Sequence, residues 1–352
     1  MSPAFRRRLV QLHLWAGLVV GLILLVMALS GAAMIFQPEI EHALHPELSH
    51  VAPSRQYWSL DALAARAQAD HPQSPVDYLR FFGRDDSPLL VRYLDTDTAY
   101  LNPYSGQLIA LLPRWSEGFG LIEQLHRFLL VRPSGHYVTG AAALTFLFLF
   151  ASGVVLWVPS TWRLARRALA LRPGRRGRTQ WLHWHKLAGI YVGVLVAGSA
   201  LTGLPQTYDW FQNGIYALTF SPQPESPPHS TVASGKSRAS LQSLWEKAAF
   251  LVPDAQETIL RLPKAPNAAV EVCLIGRSAP HPNARSYVYL DAYSGQVLSF
   301  LPYEKSSPGT RLYYLTMSLH DGEIGGLFGK LVLVTSSLGL ATLILTGGWS
   351  WY

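Results

Sequence analysis

The chain alternates between long apolar runs and long stretches of mixed polarity. The runs cover residues 9–36, 133–162, 187–208 and 331–352. Each exceeds the roughly 20 residues that cross a hydrocarbon core of about 30 Å as a helix. Four transmembrane helices are therefore predicted. The first follows Arg6, Arg7 and Arg8 as a signal peptide would, but it is too long and lacks a small-residue cleavage site, so it is expected to remain as an anchor.

The intervening stretches change period. Ser59 and Ser240 stand as N-caps before amphipathic helical segments with leucines three apart. Strand-like runs follow at 76–82, 89–93 and 99–101, and again at 258–262, 269–275 and 286–290. Each set reaches a turn, Asn102-Pro103-Tyr104-Ser105-Gly106-Gln107 and Asp291-Ala292-Tyr293-Ser294-Gly295-Gln296, where glycine supplies a positive φ. The fold class is a bundle of four transmembrane helices with two external α+β domains. The predicted order is helix 1 (1–36), domain 1 (37–132), helix 2 (133–158), a basic loop (159–182), helix 3 (183–208), domain 2 (209–329) and helix 4 (330–352). Residues 221–240, rich in Pro and Ser, read as a flexible linker. The chain ends almost where helix 4 is expected to end, which leaves room for a cytoplasmic tail after Tyr352.

The two halves are copies. His13, Gly17, Gly21, Ala28 and Gly31 recur as His185, Gly189, Gly193, Ala200 and Gly203, each 172 residues later. Leu125-His126, Ser152-Gly153 and Trp157 recur as Leu319-His320, Thr346-Gly347 and Trp351, 194 residues later. Histidines repeated at fixed depth beside small residues suggest a buried flat cofactor.

Charge sets the expected orientation. The loop carries Arg163, Arg166, Arg167, Arg172, Arg175, Arg176 and Arg178 without an acid, and with Arg6 to Arg8 belongs in the cytoplasm. All 22 acidic residues lie in 37–132 and 209–329, which belong on the opposite side. The net charge of +7 is thus a topology signal; short basic loops beside helix ends are what the orientation rule predicts, and no nucleic-acid partner is expected. With Cys273 the sole cysteine, no intrachain disulfide holds the external domains. A Rossmann unit needs roughly 30 or more residues with strands, more than the 24-residue cytoplasmic loop can supply. Pyridine nucleotide binding is excluded there, and no hydrolase constellation stands out.

The His-xxx-Gly membrane entry, the Tyr-Ser-Gly-Gln turns and the Leu319-to-Gly326 run (LHDGEIGG) before helix 4 together resemble the PepSY-associated transmembrane helix proteins. The resemblance covers essentially the whole chain. Within that family it is closest in character to ferric-siderophore reductases of the bacterial inner membrane. It implies b-type haem, two per chain, and reduction on the periplasmic side of Fe(III) bound to a siderophore, the hydroxamate type among them. The electron donor would be membrane quinol or a cytoplasmic reductase.

On that reading His13 and His185 form an inner axial pair, with Gly17, Gly21, Gly189 and Gly193 leaving room for the porphyrin or merely for helix packing. His126 and His320 form an outer pair. His183 and His136 are substitute ligands. The cluster His42, His45 and His50, with Glu39, Glu41 and Glu47 nearby, fits zinc or ferrous iron chemically, but also a solvated polar face. Tyr57, Trp58, Tyr303, Tyr313 and Tyr314 could meet a chelate, though core positions are their ordinary place. Trp157, Trp162, Trp181, Trp184, Trp349 and Trp351 read as an interfacial belt. Two other readings stand beside the reductase: a haem-free membrane sensor built on PepSY modules, and a haem b subunit serving a partner oxidoreductase.

Overall fold

The computed structural model describes residues 2–350 apart from 116, 117, 160, 162, 165, 167, 168, 171–176 and 233–236. Trp162, Trp351 and Arg167, Arg172, Arg175 and Arg176 of the basic loop lie outside the described residues.

Two passes through one element order build the chain. The first is α1 (Pro3–Met34), α2 (Gln37–Leu44), α3 (Leu60–Asp70), β1 (Val76–Phe82), β2 (Leu89–Tyr93), β3 (Thr98–Leu101), β4 (Leu108–Leu112), α4 (Gly118–Phe128) and α5 (Gly135–Trp157). The second is α6 (Arg178–Gly203), α7 (Asp209–Leu218), α8 (Leu241–Leu251), β5 (Ala255–Arg261), β6 (Val270–Gly276), β7 (Ser286–Leu290), β8 (Val297–Leu301), α9 (Pro308–His320) and α10 (Gly326–Trp349). These elements form two units: residues 1–37, 118–213 and 316–352 make a helical one, and 38–117 with 214–315 an α+β one.

In the helical unit α1, α5, α6 and α10 are long and apolar enough to cross a membrane, and the chain is a multi-pass membrane protein. Leu24, Ala28, Phe146, Val196, Leu340 and Leu343 fill the seam between them. Val19, Leu22 and Val194 point outward, as side chains facing lipid should. α1 and α6 begin earlier than their apolar runs because basic first turns continue the helix through the interface. Ser2 caps α1, its Oγ accepting from Phe5 N at 3.3 Å, with Pro3 at the first helical position. The second long helix stops at Trp157, one residue from the predicted 158 and short of the end of the apolar run at 162, because Val158 precedes Pro159 and takes an extended ψ of 114°.

The α+β unit differs from two separate domains. Its strands form a single antiparallel sheet in the order β4-β3-β2-β1-β5-β6-β7-β8, so the copies meet edge to edge through β1 and β5. Left apart, each copy would expose β1 or β5 as an open edge. Joined, they share one core: Leu63, Leu79 and Val91 from one copy are continuous with Leu244, Leu260 and Val272 from the other, under α3 and α8. Both predicted turns close hairpins, with Gly106 at φ 67° and Gly295 at φ 66°. The described parts of 221–240 are not free. Ser230 Oγ donates to Ala268 O at 3.0 Å and Thr231 N to Asp291 Oδ2 at 2.7 Å, which ties the segment to the sheet.

The copies also cap each other's helices. Asp61 of α3 accepts from Ser240 Oγ (2.8 Å), Leu241 N (2.9 Å) and Gln242 N (3.1 Å), while Gln242 Oε1 accepts from Leu60 N (3.2 Å). Partial burial raises the Asp61 carboxyl, but these hydrogen bonds outweigh it and hold the group below the usual carboxylate range. A carboxylate with a depressed folded pKa contributes stability above its unfolded pKa and loses it as pH falls through the folded value. Asp61→Ala is expected to cost about 1 kcal/mol, the ordinary worth of an N-cap. Its thermal unfolding midpoint should fall at pH 7 and converge on the parent's in acid; an equal deficit at every pH would count against the carboxylate as the cause.

Candidate functional site

The helical unit brings the repeated histidines together in two pairs. His13 of α1 faces His185 of α6 with ring centroids 6.3 Å apart, and His126 of α4 faces His320 of α9 at 6.4 Å. The outer pair is carried by two short amphipathic helices that sequence periodicity did not single out. All four rings are partly buried among membrane helices.

Each ring is seated on a Ser-Gly or Thr-Gly step of a neighbouring helix. His126 Nδ1 donates to Met27 O at 2.9 Å and lies 3.3 Å from Ser30 Oγ. His320 Nδ1 donates to Ser199 O at 3.0 Å, with Thr202 Oγ1 at 3.4 Å. His185 Nδ1 donates to Leu343 O at 3.0 Å, one turn before Thr346-Gly347. His13 Nδ1 meets Ser152 Oγ at 2.8 Å; that hydroxyl donates to Leu149 O at 3.1 Å, so it accepts from the imidazole. Every Nδ1 therefore carries the proton, and every Nε2 keeps its lone pair.

The glycine of each step makes the room. A Cβ would stand 2.9 Å from the His126 ring at Gly31, 2.6 Å from His320 at Gly203, 3.1 Å from His185 at Gly347 and 3.3 Å from His13 at Gly153. The other repeated glycines do something else. Gly17 faces Leu149, Gly21 faces Ile344, Gly189 faces Leu343 and Gly193 admits the Phe150 ring, so in this structure they serve contacts with side chains of α5 and α10.

Two imidazoles on opposite sides of one metal ion, each bonded through ~2 Å, hold their ring centroids about 6 Å apart. Both pairs have that spacing. The Nδ1 bonds to carbonyl and hydroxyl oxygens are the outer contacts that fix tautomer and ring orientation in metal-bound histidines. The pairs lie at two levels. His13 to Ser30 on α1, and His185 to Thr202 on α6, each span seventeen residues, or about 25 Å at ~1.5 Å per residue. That is most of the thickness of a bilayer core.

The remaining candidates fall elsewhere. His183 is buried, but the ring facing His13 is that of His185. His136 bonds Pro133 O at 2.6 Å and lies against Tyr137, centroids 3.9 Å apart, and Phe128 at 6.4 Å. His42 and His50 rings approach to 5.0 Å, yet His45 is paired with Glu47 at 3.2 Å and His50 with Asp86 at 2.9 Å, so the three do not converge. Among the described residues the trio whose ligand atoms lie within 4.8 Å of one another is His71, Asp95 and Asp97. There the His71 Nε2 to Asp95 Oδ2 contact of 2.7 Å ties the end of α3 to the β2–β3 turn. Tyr57 and Trp58 are exposed and Tyr303 is buried. Trp181 stacks on Trp349 at 5.5 Å and 18°.

No curated protein matches the chain. The description of the PepSY-associated TM region fits residues 10–352, which take in all four helices, both copies of the α+β unit and all four seated histidines. The chain belongs to the family of the PepSY-associated TM region.

Proposed function

We propose that the chain is a haem b-carrying reductase of the bacterial inner membrane, which moves electrons from quinol or a cytoplasmic reductase to Fe(III) in periplasmic siderophores and releases Fe(II). The observation that carries this reading is the pair of facing histidine couples, 6.3 and 6.4 Å between centroids, with all four Nδ1 atoms anchored. Haem, when bound by two imidazoles, supplies one-electron transfer with a potential tuned by ligands and burial.

The chain's own residues would do the rest. His13 with His185, and His126 with His320, would hold the iron through Nε2, since each Nδ1 is engaged elsewhere. Met27, Ser199 and Leu343 carbonyls and the Ser152 hydroxyl hold the rings in one tautomer. The seam of Leu24, Phe146, Val196 and Leu340 keeps the space between the levels apolar. Iron in the chelate gains one electron and no proton, and hard oxygen donors hold the resulting Fe(II) weakly.

The basic ends at Arg6 to Arg8 and in the 159–182 loop favour a cytoplasmic N-terminus, with the acidic α+β unit in the periplasm. An absorbance spectrum of the purified protein, oxidised and then reduced with dithionite, should give a sharp reduced band of b type and about two haems per chain by pyridine haemochrome. Under anaerobic conditions the reduced protein should then convert a ferric chelate to Fe(II), trapped by a ferrous indicator. A colourless protein from haem-replete cells would sink the reductase and favour the sensor.

A further inference from the structure

The sheet of the α+β unit has one face in the core and a second that carries a different chemistry. Strand register aligns Arg92, Tyr78, Arg261, Glu271 and Tyr289 in one row across β2, β1, β5, β6 and β7. The adjacent row on the same face includes Arg80 and Tyr287. At strand spacings of ~4.8 Å the row is about 19 Å wide. The named residues are not core positions and the apolar set alternates with them on β1, β2, β5 and β7, whereas on β6 the same face also carries the buried Cys273 and Ile275.

Cations exceed anions on this face. Arg80 is matched by Glu257 at 2.8 Å and Arg261 by Glu271 at 3.7 Å. Arg92 and Arg285 have no carboxylate partner among the described residues: Arg92 donates through Nη1 to Thr96 O and Arg285 through Nη2 to Asn283 Oδ1 at 2.9 Å, while the Nε of each is buried without a hydrogen bond. Guanidinium groups left in this state favour an incoming anion. Aromatic rings are interleaved with them. Arg261 lies 5.5 Å over Tyr78, Arg285 lies 5.9 Å over Tyr314, Tyr287 and Tyr289 stack at 6.3 Å and 10°, and the hydroxyls of Tyr287 and Tyr314 are 2.9 Å apart. Burial pushes the Tyr287 and Tyr289 phenols up, and Tyr289 is also hydrogen-bonded to Glu271. A solvated sheet face would pair its arginines and need no such ladder of rings.

We propose that this second sheet face is the docking surface for the ferric chelate, and that the chelate it takes is anionic and ring-bearing, of the tris-catecholate class; the inference rests on the ferric-chelate reading above. Arginine would neutralise the charge of the complex and the tyrosines would stack on its rings or donate to its oxygens.

The test separates docking from reduction, because gallium(III) replaces iron(III) in such complexes without accepting an electron. Full-length protein in detergent is titrated with trianionic gallium(III) tris-catecholate and, separately, with a gallium(III) tris-hydroxamate bearing a cationic tail, by calorimetry. The catecholate complex should bind at least about tenfold more tightly and weaken as salt rises. Arg92→Gln and Arg285→Gln should each lower its affinity by about tenfold with the thermal midpoint retained. Equal affinity for both complexes, preference for the cationic one, or insensitivity to salt in the parent would overturn the proposal, whatever the variants' folding. Binding that survives both substitutions would do so as well, as would competition by phosphatidylglycerol vesicles alone, which would reassign the face to lipid headgroups. Protein that binds the gallium complex and reduces no ferric chelate would leave the docking surface standing and remove the reductase.

Discussion

On the proposed function, His126→Ala and His320→Ala are each expected to lower the haem content from about two to about one per chain and to cut ferric-chelate reduction by at least about 100-fold. The magnitude follows from removing one axial ligand outright, since even loss of an outer contact to a metal-bound histidine typically costs about 10- to 100-fold. The remaining haem should keep an unchanged reduced band, because His13 and His185 sit seventeen residues lower on α1 and α6 and share none of the outer pair's hydrogen bonds. His13→Ala and His185→Ala should remove the other haem. His136→Ala and His183→Ala should keep both, for neither ring faces a partner across the ~6 Å gap that two imidazoles on one metal require. Full haem content in His126→Ala would eliminate the outer pair as ligands, and a loss confined to His136→Ala would transfer the role.

Alanine at the seat glycines is expected to act in order of the space available. A new Cβ meets the histidine ring at 2.6 Å at position 203, 2.9 Å at 31, 3.1 Å at 347 and 3.3 Å at 153. Real Cβ atoms do not approach a ring within 3 Å, so Gly203→Ala and Gly31→Ala must push His320 and His126 aside, at an overpacking cost of about 1–3 kcal/mol. The ring is the far end of a side chain and moves more readily than a helix. The expected result is loss of the outer haem in a protein that still folds. Gly153→Ala should retain its haem with at most a small shift of the band. Haem quantification and far-ultraviolet circular dichroism on the four variants check this; equal loss at 203 and 153 would break the link between seat and ring.

Local patterns made much of the architecture legible. Length and polarity located the four membrane helices, and Ser caps with period-two strands located the α+β segments. Val76–Phe82, Leu89–Tyr93 and Ser286–Leu290 form strands at the predicted bounds. Helix ends were less legible because charged first turns at Arg6 and Arg178 lie inside helices that hydropathy alone begins later. The short helices bearing His126 and His320 do not stand out although they are at least as long as α3 and α8, because they run into the membrane helices; the seats at Met27 and Ser199 fix their histidines. The seat motif itself was half visible: Ser152-Gly153 and Thr346-Gly347 recur in sequence, but which ring each receives depends on helix neighbours.

The sequence by itself determined the duplication, the number of membrane helices and the identity of the repeated histidines, because hydrophobic length and chain offset are one-dimensional properties. The pairing of His13 with His185 and of His126 with His320 is expected from the repeat, but only tertiary structure set the rings 6.3 and 6.4 Å apart and chose the oxygen each Nδ1 bonds. It also decided that Gly31, Gly153, Gly203 and Gly347, rather than Gly17, Gly21, Gly189 and Gly193, make room for the rings. The same holds for the sheet. Alternation along β1 and β5 told which side chains share a face, but only their antiparallel pairing fused two half-sheets and aligned Arg92, Tyr78 and Arg261 in one row. Such facts come from contacts between residues far apart in the chain, where register and helix rotation set the chemistry and no local pattern records them.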